Sequence, residues 1–176
     1  MKKISFLLAV SVALSNAAFA KLGETPQEIE ARYGKPKASG TDEYDHLVWR
    51  RYSHLDYEIT VRFIEGKSAC EKLIHRDETQ KFPDVECLGL GKAISGETNW
   101  NLLDRKGVAT AWVSGDTIVL RSELTSTGFL PFLEITGKVY RDHMEEKREA
   151  ESARQIDAIV ARFNGAASSS PDSAKN

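Results

Sequence analysis

Leu55-Asp56-Tyr57-Glu58-Ile59-Thr60-Val61-Arg62-Phe63 alternates apolar and polar residues without a break. A period of two belongs to a strand with one face on a core and the other in water. The stretch predicts an antiparallel sheet, and the sequence around it supplies the partners. Residues 44–51 read as a strand that reaches it across a bend at Tyr52-Ser53-His54, with Leu47 and Trp49 on the same core face. Glu65-Gly66-Lys67 makes a turn, and residues 69–75 read as a third strand. Farther on, residues 108–113 and 117–120 flank Ser114-Gly115-Asp116, a tight hairpin signal. Residues 129–136 are expected as a further strand, with Pro131 suggesting an edge.

A helix is predicted ahead of each group of strands. Thr25-Pro26-Gln27-Glu28 places a hydroxyl at the cap, a proline at the first helical position and a glutamate three residues after the cap. That is a capping box, and Gly34 and Pro36 end the helix. Pro83-Asp84 opens a second helix with Asp84 as its cap, and Cys87, Leu90 or Gly91, and Ile94 fall at helical spacing. Residues 139–163 lack Gly and Pro and are dense in Glu, Lys, Arg and Ala, so they predict one long helix. The fold class is therefore α+β, a loosely duplicated helix-plus-meander unit forming one sheet, with a long C-terminal helix. The domain spans 21–137, the charged helix 138–164, and the Ala-, Ser- and Pro-containing tail 165–176 is expected to be disordered.

The first twenty residues address the chain. Lys2 and Lys3 precede an apolar run from Ile4 to Leu14, and Ala18-Phe19-Ala20 ends it with small residues. This is a secretory signal peptide, with Lys21 the expected mature N-terminus. The run is too short to span a bilayer, and no Cys follows it to carry a lipid, so neither a membrane span nor a lipid anchor is expected. Loss of the two signal lysines takes the 24 basic side chains to 22, against 26 acidic ones, a net charge of −4. That balance argues against nucleic acid as the partner.

Cys70 and Cys87 both lie in the mature chain, and export brings an oxidising compartment. A Cys70–Cys87 disulfide is the natural pairing and closes a loop worth roughly 3 kcal/mol. The alternative is two buried thiols acting as small hydrophobes.

Leu22-Gly23-Glu24-Thr25-Pro26-Gln27-Glu28-Ile29, closing on Arg32-Tyr33-Gly34-Lys35-Pro36, resembles the G-x-T-x-x-E-hydrophobic … G-x-P opening of small exported bacterial proteins. These are the SmpA/OmlA (BamE) envelope-assembly family and, more broadly, proteins with the β-lactamase-inhibitor-protein-like fold. The resemblance implies a fold and a compartment and transfers no functional residue. Lys21 stands where that family carries a lipidated Cys, and residues 139–163 have no counterpart in its short domain.

No catalytic motif organises the polar residues. Gly-x-Ser-x-Gly is absent, and Gly89-Leu90-Gly91 lacks what a phosphate loop needs. His46 and His54, with Asp45 and Asp56, offer zinc ligands across a hairpin or, more simply, a solvated polar face. No cofactor is implied. The aromatic residues point elsewhere. Trp112 alternates with Ala109, Ala111 and Val113, and the two alanines can pack beneath a helix, which makes Trp112 the better exposed candidate, with a place in a second layer of core as the equal alternative. Tyr52 joins it as a candidate contact residue, since Tyr and Trp dominate interface energetics. Ile156, Ile159, Val160 and Phe163 form an apolar stripe late in the long helix, expected to dock in part on the sheet and otherwise to project toward a partner. The leading expectation is an exported, non-enzymatic protein that binds an envelope or secreted partner. An inhibitor or small-ligand module using the open sheet face is the alternative, and a secreted metal-dependent hydrolase is the second. The sequence leaves the oligomeric state open.

Overall fold

The computed structural model describes residues 21–123 and 130–168, with side chains through residue 162. The expected signal peptide (1–20), the Phe163 side chain, position 129 and residues 169–176 of the expected tail lie outside the described residues. The chain runs α1 (Pro26–Tyr33), β1 (Ala38–Thr41), β2 (Val48–His54), β3 (Tyr57–Ile64), β4 (Lys67–His75), α2 (Asp84–Ser95), β5 (Asn101–Lys106), β6 (Ala109–Ser114), β7 (Thr117–Ser122), β8 (Phe132–Thr136) and α3 (Lys138–Ser168). All strand pairings are antiparallel, in one eight-stranded sheet of order β1-β2-β3-β4-β8-β7-β6-β5. Read inward from either edge, the strands follow chain order. The α+β fold is thus two helix-plus-meander units joined where β4 meets β8, with Leu73 opposite Leu133.

The first unit begins as its chemistry dictates. The Thr25 N–H donates to Glu28 Oε2 at 2.7 Å and the Glu28 N–H donates to Thr25 Oγ1 at 3.3 Å. These bonds from Thr25 to the carboxylate hold Glu28 below the usual glutamate range. Gly34 caps the other end at φ 84°, a conformation that favours glycine.

Several expectations are corrected by register. The β2–β3 turn falls at Leu55-Asp56, not at residues 52–54, so Tyr52 is interior to a strand and Leu55 is 70 % exposed at φ 51°. β8 is central, not an edge, because Pro131 lies just outside the ladder where no N–H is needed. Pro83, not Asp84, stands at the α2 cap and gives no side-chain bond. The Asp84 carboxylate is engaged by Arg121 at 2.6 Å and Arg105 at 2.9 Å. The two edge strands, β1 and β5, went unread. Ala-Ser-Gly-Thr has no alternation, and every residue of Asn-Leu-Leu-Asp-Arg-Lys is exposed, so no buried face leaves its period in either sequence.

α1 and α2 cover one face of the sheet. Between them lies a core containing Ile29, Tyr52, Ile59, Val61, Leu73, Cys87, Trp112, Val119, Leu133 and Ile135. α2 lies close because of Gly91, where an added Cβ would stand 2.8 Å from Val119 Cγ2 and 3.0 Å from the Trp100 ring. On the opposite face a smaller cluster of Leu47, Ala69, Cys70 and Tyr140 sits under the start of α3.

This division removes the expected disulfide. Cys70 faces α3 and Cys87 lies on α2, so the sheet stands between two buried, free thiols. Burial pushes the Cys87 thiol up to about 12 and raises that of Cys70 as well. Alkylation of the purified, denatured protein without reductant is therefore expected to label both cysteines, whereas a mass two hydrogens lighter with no label would contradict the arrangement.

Candidate docking surfaces

Among the described residues, helix α3 is anchored at its beginning. Tyr140 and Met144 pack on Leu47, Ala69 and Cys70, and burial raises the Tyr140 hydroxyl. Arg141 Nη1 donates to the Asp116 and Thr136 carbonyls at 2.9 and 3.1 Å, and His143 Nε2 lies 3.2 Å from the Asp45 carbonyl. From Arg148 to Arg162 every residue is exposed. Local pairs support that length in helix: Arg148 with Glu145, and Gln155 Nε2 donating to Glu151 at 3.1 Å.

The described part of the late stripe does not dock on the sheet. Ile156, Ile159 and Val160 are 60, 64 and 50 % exposed. At spacings of three and four residues they share one face of the helix. In the described residues the helix runs through Ser168.

The other two candidates are corrected outright. Tyr52 is fully buried, its ring 5.8 Å from that of Tyr33, and Trp112 is 5 % exposed beneath α2. The reason is register. Trp112 lies opposite Val119 on the covered face, which turns Ala111 and its neighbour Leu120 to the open one. Ala111 does lie near a helix, but it is the start of α3, and a groove separates the two.

That groove has a volume of about 540 Å³ and is lined by Leu103, Ala111, Ile118, Leu120, Glu134, Tyr140 and Met144 among others. Glu134, on β8, is the one carboxylate contributed by the sheet, and burial raises its pKa while Lys72 and Arg62 oppose the shift.

Two polar clusters were not singled out from sequence. Glu71 is completely buried between β4 and α1, accepting from Arg32 Nη2 at 2.9 Å and from the Tyr33 hydroxyl at 2.7 Å. Arg32 also reaches Glu24 at 2.5 Å. The available signal was parity: Glu71 shares its strand face with Leu73 and so interrupts an apolar row. His75 is the second, buried against Phe82 with ring centroids 4.2 Å apart. Its Nε2 stands 3.1 Å from Glu86 Oε1 but out of line for a hydrogen bond, while the Tyr57 hydroxyl donates to that same oxygen at 2.5 Å. His46 is exposed in the β1–β2 loop and the His54 ring lies 5.3 Å from that of Tyr33. Among the described residues, no three His, Cys, Asp or Glu side chains converge as metal ligands, and no helix is long and apolar enough to cross a membrane.

No family model matches the chain, and no curated protein does. Solved structures similar over part of their length include two from bacteria. One is an extracellular protein containing an SCP domain from Bacillus anthracis, at 12 % identity and TM-score 0.42, covering 78 % of this chain and 50 % of that one. The other is a cysteine-rich secretory protein from Staphylococcus aureus, at 6 % identity and TM-score 0.39, covering 68 % of this chain and 45 % of that one. The chain thus spans about half the length of each. Neither likeness says what this chain binds.

Proposed function

We propose that this protein is an exported, non-enzymatic binding module of the bacterial cell envelope that recruits a protein partner through α3. The exposed stripe of Ile156, Ile159 and Val160 carries this reading. Three branched aliphatic side chains, exposed on one face of a helix that packs on no other described residues over this stretch, are suited to a partner's apolar groove. The N-terminal pattern of Lys2, Lys3, an apolar run and Ala18-Phe19-Ala20 supports export, and the opening resemblance supports an envelope setting.

Replacing Ile156, Ile159 and Val160 together by Ser is expected to leave the unfolding midpoint nearly unchanged, since exposed substitutions typically fall within about 0.5 kcal/mol each. The same variant is expected to lose the partner captured by the tagged native chain in cells. Capture unchanged in a folded variant would place recognition elsewhere. Export has its own readout. The intact mass of protein recovered outside the cytoplasm should correspond to a chain beginning at Lys21, and a cytoplasmic chain that keeps residues 1–20 would contradict it.

The groove under α3 favours a second reading, a small-ligand or inhibitor module on the open sheet face. Its volume lies within the range of about 300–1,000 Å³ common to ligand sites.

A further inference from the structure

The groove has a chemistry that recruitment through the far end of α3 does not use. Leu103, Ile118, Leu120 and Met144 give it aliphatic walls, and three other charged side chains besides Glu134 line it. Those three are engaged. Arg141 donates to the Asp116 and Thr136 carbonyls, and Arg148 is paired with Glu145. Glu134 differs from them. Among the described residues its carboxylate makes no hydrogen bond and no ion pair, and the residue is half-buried in the groove wall.

The two cations that act on Glu134, Lys72 and Arg62, also face other groups. Lys72, opposite Glu134 in the ladder, places its ammonium 4.0 Å from the Phe132 ring centroid. Arg62 reaches Asp42 at 3.6 Å and Asp45 at 3.4 Å. An ionised carboxylate accepts hydrogen bonds and donates none, and one set among aliphatic side chains is held upward in pKa until a donor arrives. What Glu134 itself lacks is a donor, preferably a positively charged one.

The geometry points to this groove as a binding site for a small aliphatic amine, its alkyl body on Leu103, Ile118, Leu120 and Met144 and its ammonium donating to Glu134. A fatty carboxylate would set like charge against like at Glu134. An alcohol would supply one uncharged donor. The site is independent of the helix stripe, because no lining residue lies beyond Arg148, so either reading can fail without the other.

The test is a methyl NMR titration of the purified mature chain with hexylamine, hexanoate and hexanol in parallel. Hexylamine is expected to shift the Ile118, Leu120 and Met144 methyls saturably, with a dissociation constant on the order of millimolar and at least tenfold tighter than either comparison compound. Glu134→Gln, close in shape, is expected to reduce hexylamine binding to the level of hexanol. Equal binding of hexylamine and hexanol by the native chain would overturn the assignment. So would shifts confined to Ile156, Ile159 and Val160, or hexylamine binding unaltered in a folded Glu134→Gln. The comparison on the native chain needs no substitution, so it decides the matter even if the variant fails to fold.

Discussion

Arg32→Met destabilises the fold by about 3–5 kcal/mol at neutral pH, the cost of removing one partner from a buried ion pair. Glu71 has no solvent exposure, and Arg32 and the Tyr33 hydroxyl are its partners across the α1–β4 contact. Without Arg32 the carboxylate keeps one neutral donor and gains a closer view of Glu24. The pH dependence has a definite sign. Burial already raises the Glu71 carboxyl above its ordinary value, with Arg32 the largest opposing influence. The folded state therefore takes up this proton before the unfolded state does. The Glu71 contribution becomes more favourable as pH falls from its folded value toward its unfolded one. Loss of Arg32 raises the folded value further, so the variant's deficit shrinks on acidification. Urea unfolding at pH 7 and about pH 5 tests this. A loss below about 1 kcal/mol, or an equal loss at both pH values, contradicts the role given to the pair. Replacing both residues with apolar side chains of similar volume should restore most of the stability, because no buried charge is then left alone.

Trp112→Ala is expected to cost about 3–5 kcal/mol, since it removes a large side chain from a core that relaxes only partly around the cavity. Trp112 is 5 % exposed and shares its cluster with Val119, Ile94 and Leu133, and the Arg121 guanidinium lies 5.4 Å from its ring centroid. A tryptophan serving as a surface contact would behave differently, losing partner affinity while keeping its unfolding midpoint. Denaturant unfolding of Trp112→Ala separates the two. A midpoint shift equivalent to less than about 1 kcal/mol would return Trp112 to the surface.

The fold was legible wherever one face of an element is buried and the other is wet. Ile59, Val61 and Phe63 point into the core in alternation with Thr60 and Arg62, and that burial writes the period-two pattern into the chain. The α1 capping box was equally readable because its bonds join residues only three apart. What escaped depends on distant partners. Nothing local tells which face of β6 meets α2; the pairing of Trp112 with Val119 decides it. Cys70 and Cys87 look like a bridge in sequence, and only the sheet between their two clusters separates them. The Glu71 cluster joins positions 38 and 39 residues apart, so its members carry no shared motif. Of the site candidates, the stripe of Ile156, Ile159 and Val160 was visible through helical spacing, but its lack of docking was not, because amphipathicity alone does not name the surface an apolar face meets.

The most direct measurement is in-cell photo-crosslinking from a single reactive residue placed at position 159, with position 120 in the groove as the comparison. The account predicts one discrete heterologous protein adduct from position 159 and none from position 120. An adduct from position 120 alone would contradict it and move recognition to the open sheet face, and no heterologous adduct from either would contradict recruitment altogether.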